Sequence, residues 1–168
     1  MKVKTKKLVL AAMLAALTFI ATIIIRVPMP AVGYVNLGDC FVLLCGWVLG
    51  PIYGALASGI GSAVADLSAG WVAYAPITFV VKALMALVAY FIGVKLSQNK
   101  MSLVVKAVSA VVAELIMVGG YLMYESVLYG FGTASLNIVF NTIQGAVGLV
   151  AGLILINVYN RYIEPMLK

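Results

Sequence analysis

Residues 33–51 read GYVNLGDCFVLLCGWVLGP. Asp39 heads an apolar run, Cys40 to Gly50, that the Gly50–Pro51 step ends after eleven residues. A full bilayer crossing takes about 20 apolar residues. Proline suits the first turn of a new helix and not the interior of an old one. The next run, residues 51–68, therefore reads as a second helix doubling back on the first. One kinked helix over both would span about 33 residues, too long for a single crossing even when tilted. The stretch is a helical hairpin with a carboxylate at its mouth. That carboxylate either caps its own helix or faces something that is not protein.

The rest of the chain is of the same kind. Of its 168 residues 65% are hydrophobic and 10% charged, and its mean hydropathy is +1.17. Soluble domains carry about a quarter charged residues. Apolar runs recur along the whole length, at about 8–25, 36–50, 51–68, 76–96, 102–124 and 136–160. The expected fold is an all-α integral membrane protein, with six transmembrane helices in one compact domain over residues 1–168. The basic start MKVKTKK leads into an apolar stretch reaching Ile25. That is longer than the roughly 7–15-residue core of a signal peptide, so it reads as the first transmembrane helix.

Orientation follows from the bases. Lys2, Lys4, Lys6 and Lys7 precede the first helix, Lys95, Lys100 and Lys106 surround the fourth-to-fifth connection, and Arg161 and Lys168 follow the sixth. Six crossings place all three groups on one side, which the positive-inside rule makes cytoplasmic. Both termini are then inside, in the cell membrane. The outer side receives 26–36, 67–76 and 125–136, rich in Gly, Pro and aromatics. The first of these, with two prolines, can fold over the bundle as a lid.

The net charge of +6 does not indicate nucleic acid, because the bases sit at the ends of apolar runs and not on one face with interleaved aromatics. Cys40 and Cys45 have no metal spacing and there is no His, so neither a metal nor a cofactor is expected. No GxxxxGK[ST], HExxH or GxSxG occurs, so the chain carries no visible machinery for ATP chemistry or catalysis and is not expected to be an enzyme.

Polar residues inside apolar spans carry the positive signal, because lipid burial is costly for them. Lys82 lies about 9 Å and Glu114 about 15 Å below the outer ends of their helices, deep enough to pair with each other or to meet a substrate. Lys82 can also snorkel to the surface. Asn137, Asn141 and Gln144, spaced i, i+4, i+7, put three amides on one helix face. Such a stripe can bind an uncharged heteroaromatic ligand or simply bond to other helices. Asp39 and Asp66 bracket the helical hairpin. An N-terminal role explains Asp39 but not Asp66, which sits where the helix dipole disfavours an anion. Trp71, Tyr74 and Thr78 follow, and Tyr34 and Asn36 lie where the lid meets the bundle; the aromatics also suit an interfacial belt.

Small residues are a separate signal. Ala11/Ala15 and Ala12/Ala16 form two offset pairs on the first helix, Ala57, Gly61 and Ala65 line the third, and Gly148 and Gly152 the sixth. Close helix packing explains the last two sets. The alanines of the first helix equally suit a docking face for another membrane protein.

Together these residues resemble the substrate-binding S components of energy-coupling factor (ECF) vitamin transporters. The resemblance rests on the basic N-terminus before LVLAAMLAAL, on the six-span plan, and on the block YVNLGDCFVLLCGWVLGPIYGALASGIGSAVADLSAGWVAYAPITFVVKALMALVAYFIG. It implies a vitamin or precursor bound near the outer face under the first loop. It also implies a transmembrane coupling protein, docked on Ala11, Ala12, Ala15 and Ala16, and two cytoplasmic ATPases. The block looks most like the hydroxymethylpyrimidine and pyridoxine branch, with riboflavin next. A self-sufficient proton-coupled transporter using Glu114 or Asp66, and a scaffold with no ligand, are the competing readings.

Overall fold

The computed structural model describes residues 3–96 and 102–167; Lys2, Lys100 and Lys168, used above for orientation, lie outside them. Six principal helices form one bundle: α1 (Val3–Ile24), α2 (Asp39–Leu49), α3 (Pro51–Ser68), α4 (Ala75–Tyr90), α5 (Leu103–Tyr129) and α6 (Phe131–Val158). π-Helical turns over Phe91–Leu96 and Tyr159–Ile163 prolong α4 and α6, and a short α7 (Glu164–Leu167) follows. Between α1 and α2 an antiparallel hairpin pairs β1 (Arg26–Pro28) with β2 (Tyr34–Asn36), Val27 opposite Val35.

The Gly50–Pro51 break forms a tight reversal. Gly50 takes φ +81°, a left-handed value that glycine adopts without a Cβ clash, and Pro51 opens α3. The arms then press together: a Cβ on Gly54 would stand 2.7 Å from the Cys45 carbonyl oxygen. This explains the short greasy segment. Nine of the eleven α2 residues are buried, because α1, α3, α4 and α6 surround it. A helix apolar all round belongs in the middle of a bundle. Val42, Leu43, Cys45 and Leu49 meet Met85, Ala86, Met117 and Ile156 there.

Among the described residues, four helical stretches are long and apolar enough to cross a membrane: Thr5–Ile24, Ala75–Leu96, Leu103–Tyr129 and Phe131–Met166. With 11 residues α2 is too short for that test, and the Gly- and Ser-bearing α3 does not meet it.

Three boundaries differ from those read in the sequence. Residues 36–38 do not belong to α2, because Asn36 pairs with Arg26 in the hairpin. The helix near the N-terminus begins earlier, at Val3. The supposed outer loop 125–136 shrinks to Gly130 alone, with φ +84°. Here α5 runs on past Glu125 because that carboxylate is buried and hydrogen-bonded to protein, and so does not mark a solvated loop.

Candidate functional site

At the hairpin end of the bundle lies a cleft of about 390 Å³, counting its open mouth. The hairpin supplies Met29, Gly33, Tyr34 and Asn36; the α3–α4 side supplies Asp66, Trp71, Tyr74 and Thr78; α5 supplies Tyr121 and Glu125; α6 supplies Asn141 and Gln144. Its walls are thus aromatic rings alternating with hydrogen-bonding groups. Trp71 packs edge-on to Tyr74 at 5.5 Å and tilted to Tyr34 at 6.1 Å between centroids. Thr78 and Tyr121 share a hydrogen bond of 3.1 Å.

The hairpin is tied over the cleft at three points. Tyr34 Oη donates to Asp66 Oδ1 at 2.6 Å. The Asn36 backbone N–H donates to Gln144 Oε1 at 2.8 Å. Asn137 Nδ2 donates to the Val32 carbonyl at 2.8 Å. Asn137 Nδ2 also donates to Glu125 Oε2 at 2.9 Å, and Tyr74 Oη reaches Glu125 Oε1 at 3.3 Å. Burial and the neighbouring Asp66 carboxylate push the Tyr34 phenol well above its usual range, and burial with Glu125 does the same to Tyr74. Both phenols therefore remain donors at any physiological pH.

Beneath the floor, the buried Lys82 ammonium sits on Asp39 Oδ1. Gln144 Nε2 donates to Asp39 Oδ2 at 2.6 Å. Gln144 thus links the lid above to the ion pair below. Two expectations change here. Lys82 pairs with Asp39 and not with Glu114, because α2 in the bundle centre brings Asp39 closer than depth along the α4 and α5 axes suggested. Asp39 is the first residue of α2, following Gly38 at the cap position, and is wholly buried instead of standing at an entrance. Neither Glu114 carboxylate oxygen has a hydrogen-bond partner among the described residues. They lie against α6, where Cβ atoms on Gly145 and Gly148 would stand 3.2 and 3.1 Å from them.

Of the twelve residues singled out for a ligand, the cleft collects Tyr34, Asn36, Asp66, Trp71, Tyr74, Thr78, Asn141 and Gln144. Asp39, Lys82, Glu114 and Asn137 lie outside its lining. The sequence reading missed Met29, Gly33, Tyr121 and Glu125. Tyr121 and Glu125 stand four apart, and Glu114 seven before Tyr121, so one face of α5 carried a legible polar stripe. The four alanines of α1 divide: Ala11 is buried and Ala15 half-buried, whereas Ala12 and Ala16 are exposed. A Cβ on Gly61 would stand 2.5 Å from the Ala15 carbonyl oxygen, so that side of α1 is taken up by α3.

A membrane helical bundle with a polar, aromatic cleft at one end, roofed by a hairpin, has the architecture of a substrate-capturing membrane subunit. A solved structure described as the S component of a bacterial ECF transporter has the same fold, with a TM-score of 0.75 over 96% of this chain and 99% of that one, at 23% identity. A Pyrococcus woesei protein, described as an uncharacterized protein in the gap 3′ region, is 31% identical over 151 residues, covering 89% of this chain and 98% of its own length. The model of the family described as ECF-type riboflavin transporter, S component, matches residues 2–161, and the chain belongs to that family. It is the substrate-binding subunit of a vitamin transporter, and the family is one of transport subunits and not of enzymes.

Proposed function

We propose that the chain captures riboflavin in the cleft at the hairpin end and delivers it inward with an ATP-driven coupling module made of other chains. All six principal helices cross the bilayer, with both termini cytoplasmic and the hairpin outside. The positions of the bases support this orientation. Lys95, Lys106 and Arg161 flank the connections at the end opposite the hairpin, and Lys7 lies over the Tyr53 ring near the Gly50–Pro51 turn. A short α2 still serves as a crossing, because protein and not lipid surrounds it.

The observation that carries the substrate is the cleft wall. Trp71, Tyr34, Tyr74 and Tyr121 offer ring faces and edges to a flat heteroaromatic system. Asn141 and Gln144 offer amides, and Asp66 and Glu125 offer acceptors, to ring N–H groups and hydroxyls. The resemblance carried by the central block placed pyridoxine and hydroxymethylpyrimidine first, with riboflavin next. The family match moves riboflavin ahead of them.

Mass spectrometry of the ligand co-purifying with the protein, followed by flavin-fluorescence quenching, tests this. The expected result is one riboflavin per chain, bound without ATP. Binding of pyridoxine or hydroxymethylpyrimidine in its place would overturn the substrate. Uptake into liposomes by this chain alone, driven by a pH gradient, would overturn the dependence on a coupling module.

A further inference from the structure

We infer that Glu114 anchors a second binding site, on the side of the bundle, for a lipophilic amine: an apolar body with an ammonium head. The site shares no lining residue with the cleft and does not rest on the riboflavin reading.

A groove of about 590 Å³, counting its open mouth, lies between α5 and α6. Val111, Leu115, Val118, Ala146 and Leu149 make its walls apolar. Leu115 is 65% exposed, so the groove opens sideways onto the face that a bilayer covers. Glu114 lies roughly 17 Å from the start of α5 and roughly 23 Å from its end, beyond the reach of lipid headgroups. What enters here must dissolve in hydrocarbon. An ionisable side chain at such a depth is a functional feature by default.

The two polar side chains of the lining, Glu114 and Thr142, present acceptors. Glu114 is 6% exposed, and neither of its oxygens has a hydrogen-bond partner among the described residues. The donors of the neighbouring ion pair are committed to Asp39: Lys82 sits on Oδ1 and Gln144 Nε2 donates to Oδ2. Thr142 Oγ1 donates to the Ile138 carbonyl at 2.7 Å, which leaves its lone pairs. An ammonium is the complement of such a site, with three donors and no acceptor. An alcohol brings an acceptor along with its donor, and a carboxylate brings like charge.

The charge count points the same way. Glu114 and Asp39 meet at Gly148, where a Cβ would stand 3.1 Å from Glu114 Oε1 and 2.8 Å from Asp39 Cβ. Two carboxylates therefore share the Lys82 ammonium, and Asp39 holds it. Burying an ionised carboxylate without a counter-charge is costly; a second cation evens the count. An amine supplies it from either form. The ammonium brings its own proton, and the free base takes the carboxyl proton, an O–H bond breaking as an N–H bond forms. Both end as one ammonium–carboxylate pair, a strong contact where water is excluded.

The test uses the purified full chain in lipid nanodiscs, with empty nanodiscs correcting for partition into lipid. Adamantylamine, adamantanol and adamantane carboxylate share one body, and octylamine and octanol supply a slimmer pair. Equilibrium dialysis is expected to show one amine bound saturably per chain, at least about tenfold more tightly than the matching alcohol, and no saturable carboxylate. Glu114→Gln should weaken the amine by about tenfold or more. Leu115→Trp, at an exposed position on the groove wall, should block it, and excess riboflavin should not displace it. Absence of saturable binding for both amines overturns the inference and leaves the groove to a helix of another chain. An alcohol that binds as well as its amine also overturns it. So does unchanged amine affinity in folded Glu114→Gln, or in Leu115→Trp if the first variant does not fold. Displacement by riboflavin would put the amine in the cleft and overturn the second site.

Discussion

Lys82 and Asp39, 43 residues apart in the chain, meet as a buried ion pair that fastens α4 to α2 directly under the cleft. Their side chains are only 3% and 0% exposed, so each charge depends on the other. Removing one partner of a buried pair leaves an uncompensated charge and costs about 3–5 kcal/mol, whereas replacing both by apolar groups is often neutral. Asp39→Asn is expected to lower the unfolding temperature in detergent sharply. The double change Asp39→Leu with Lys82→Met should recover much of that loss, less the Gln144 hydrogen bond. A double variant no more stable than Asp39→Asn would show that the pair does not act as a unit.

The hairpin roof supplies a kinetic prediction. Tyr34 and Asp66 join residues 32 apart through one hydrogen bond to a carboxylate, 2.6 Å long. Hydrogen bonds to charged groups contribute roughly 1.5–3 kcal/mol. Tyr34→Phe keeps the ring and its packing on Trp71 but removes the tie. Ligand release should accelerate by about tenfold or more, with a smaller effect on association. Stopped-flow fluorescence measures both rates. An unchanged release rate would mean that the Asn36–Gln144 and Val32–Asn137 ties hold the hairpin alone.

Much of this architecture was legible because membrane burial leaves few options. Length, hydropathy and basic clusters indicated the helical bundle, and the Gly50–Pro51 break indicated the short central hairpin. Eight of the twelve candidate ligand residues converge because three of the connections expected on one side do meet at one end. What failed was partner choice. Lys82 and Glu114 both lie well below the outer helix ends, but depth along an axis says nothing about which helix lies between. That helix is α2, and its first residue takes the lysine. Glu125 and Tyr121 were overlooked for a related reason: a carboxylate beside Gly130 reads as the start of a loop until Tyr74 and Asn137 are seen to hold it.

Glu114 gives a prediction of opposite sign. It is buried, both its oxygens lack partners, and it lies against Gly145 and Gly148. A buried polar group without a hydrogen bond costs about 1–3 kcal/mol. Glu114→Met keeps an unbranched chain of similar length that can adapt to the glycine faces. The unfolding temperature is expected to rise. A fall, with loss of ligand affinity, would show that Glu114 takes part in binding from outside the cleft.

The last prediction separates packing from docking on α1. Ala11 and Ala15 face into the bundle or against α3, at the place where only glycine fits at position 61. Ala12 and Ala16 lie on the open face beside the exposed Met13 and Leu17. Ala11→Leu should therefore overpack the buried side of α1, at a cost of about 1–3 kcal/mol, and lower stability whether or not any partner is present. The double change Ala12→Leu with Ala16→Leu should leave the unfolding temperature and ligand affinity of the isolated chain unchanged. Its effect should emerge only with the coupling protein, as weakened co-purification and loss of ATP-driven uptake in liposomes, because bulk at these positions keeps a second helix from close approach. Normal uptake by that double variant would place the docking surface elsewhere on the bundle.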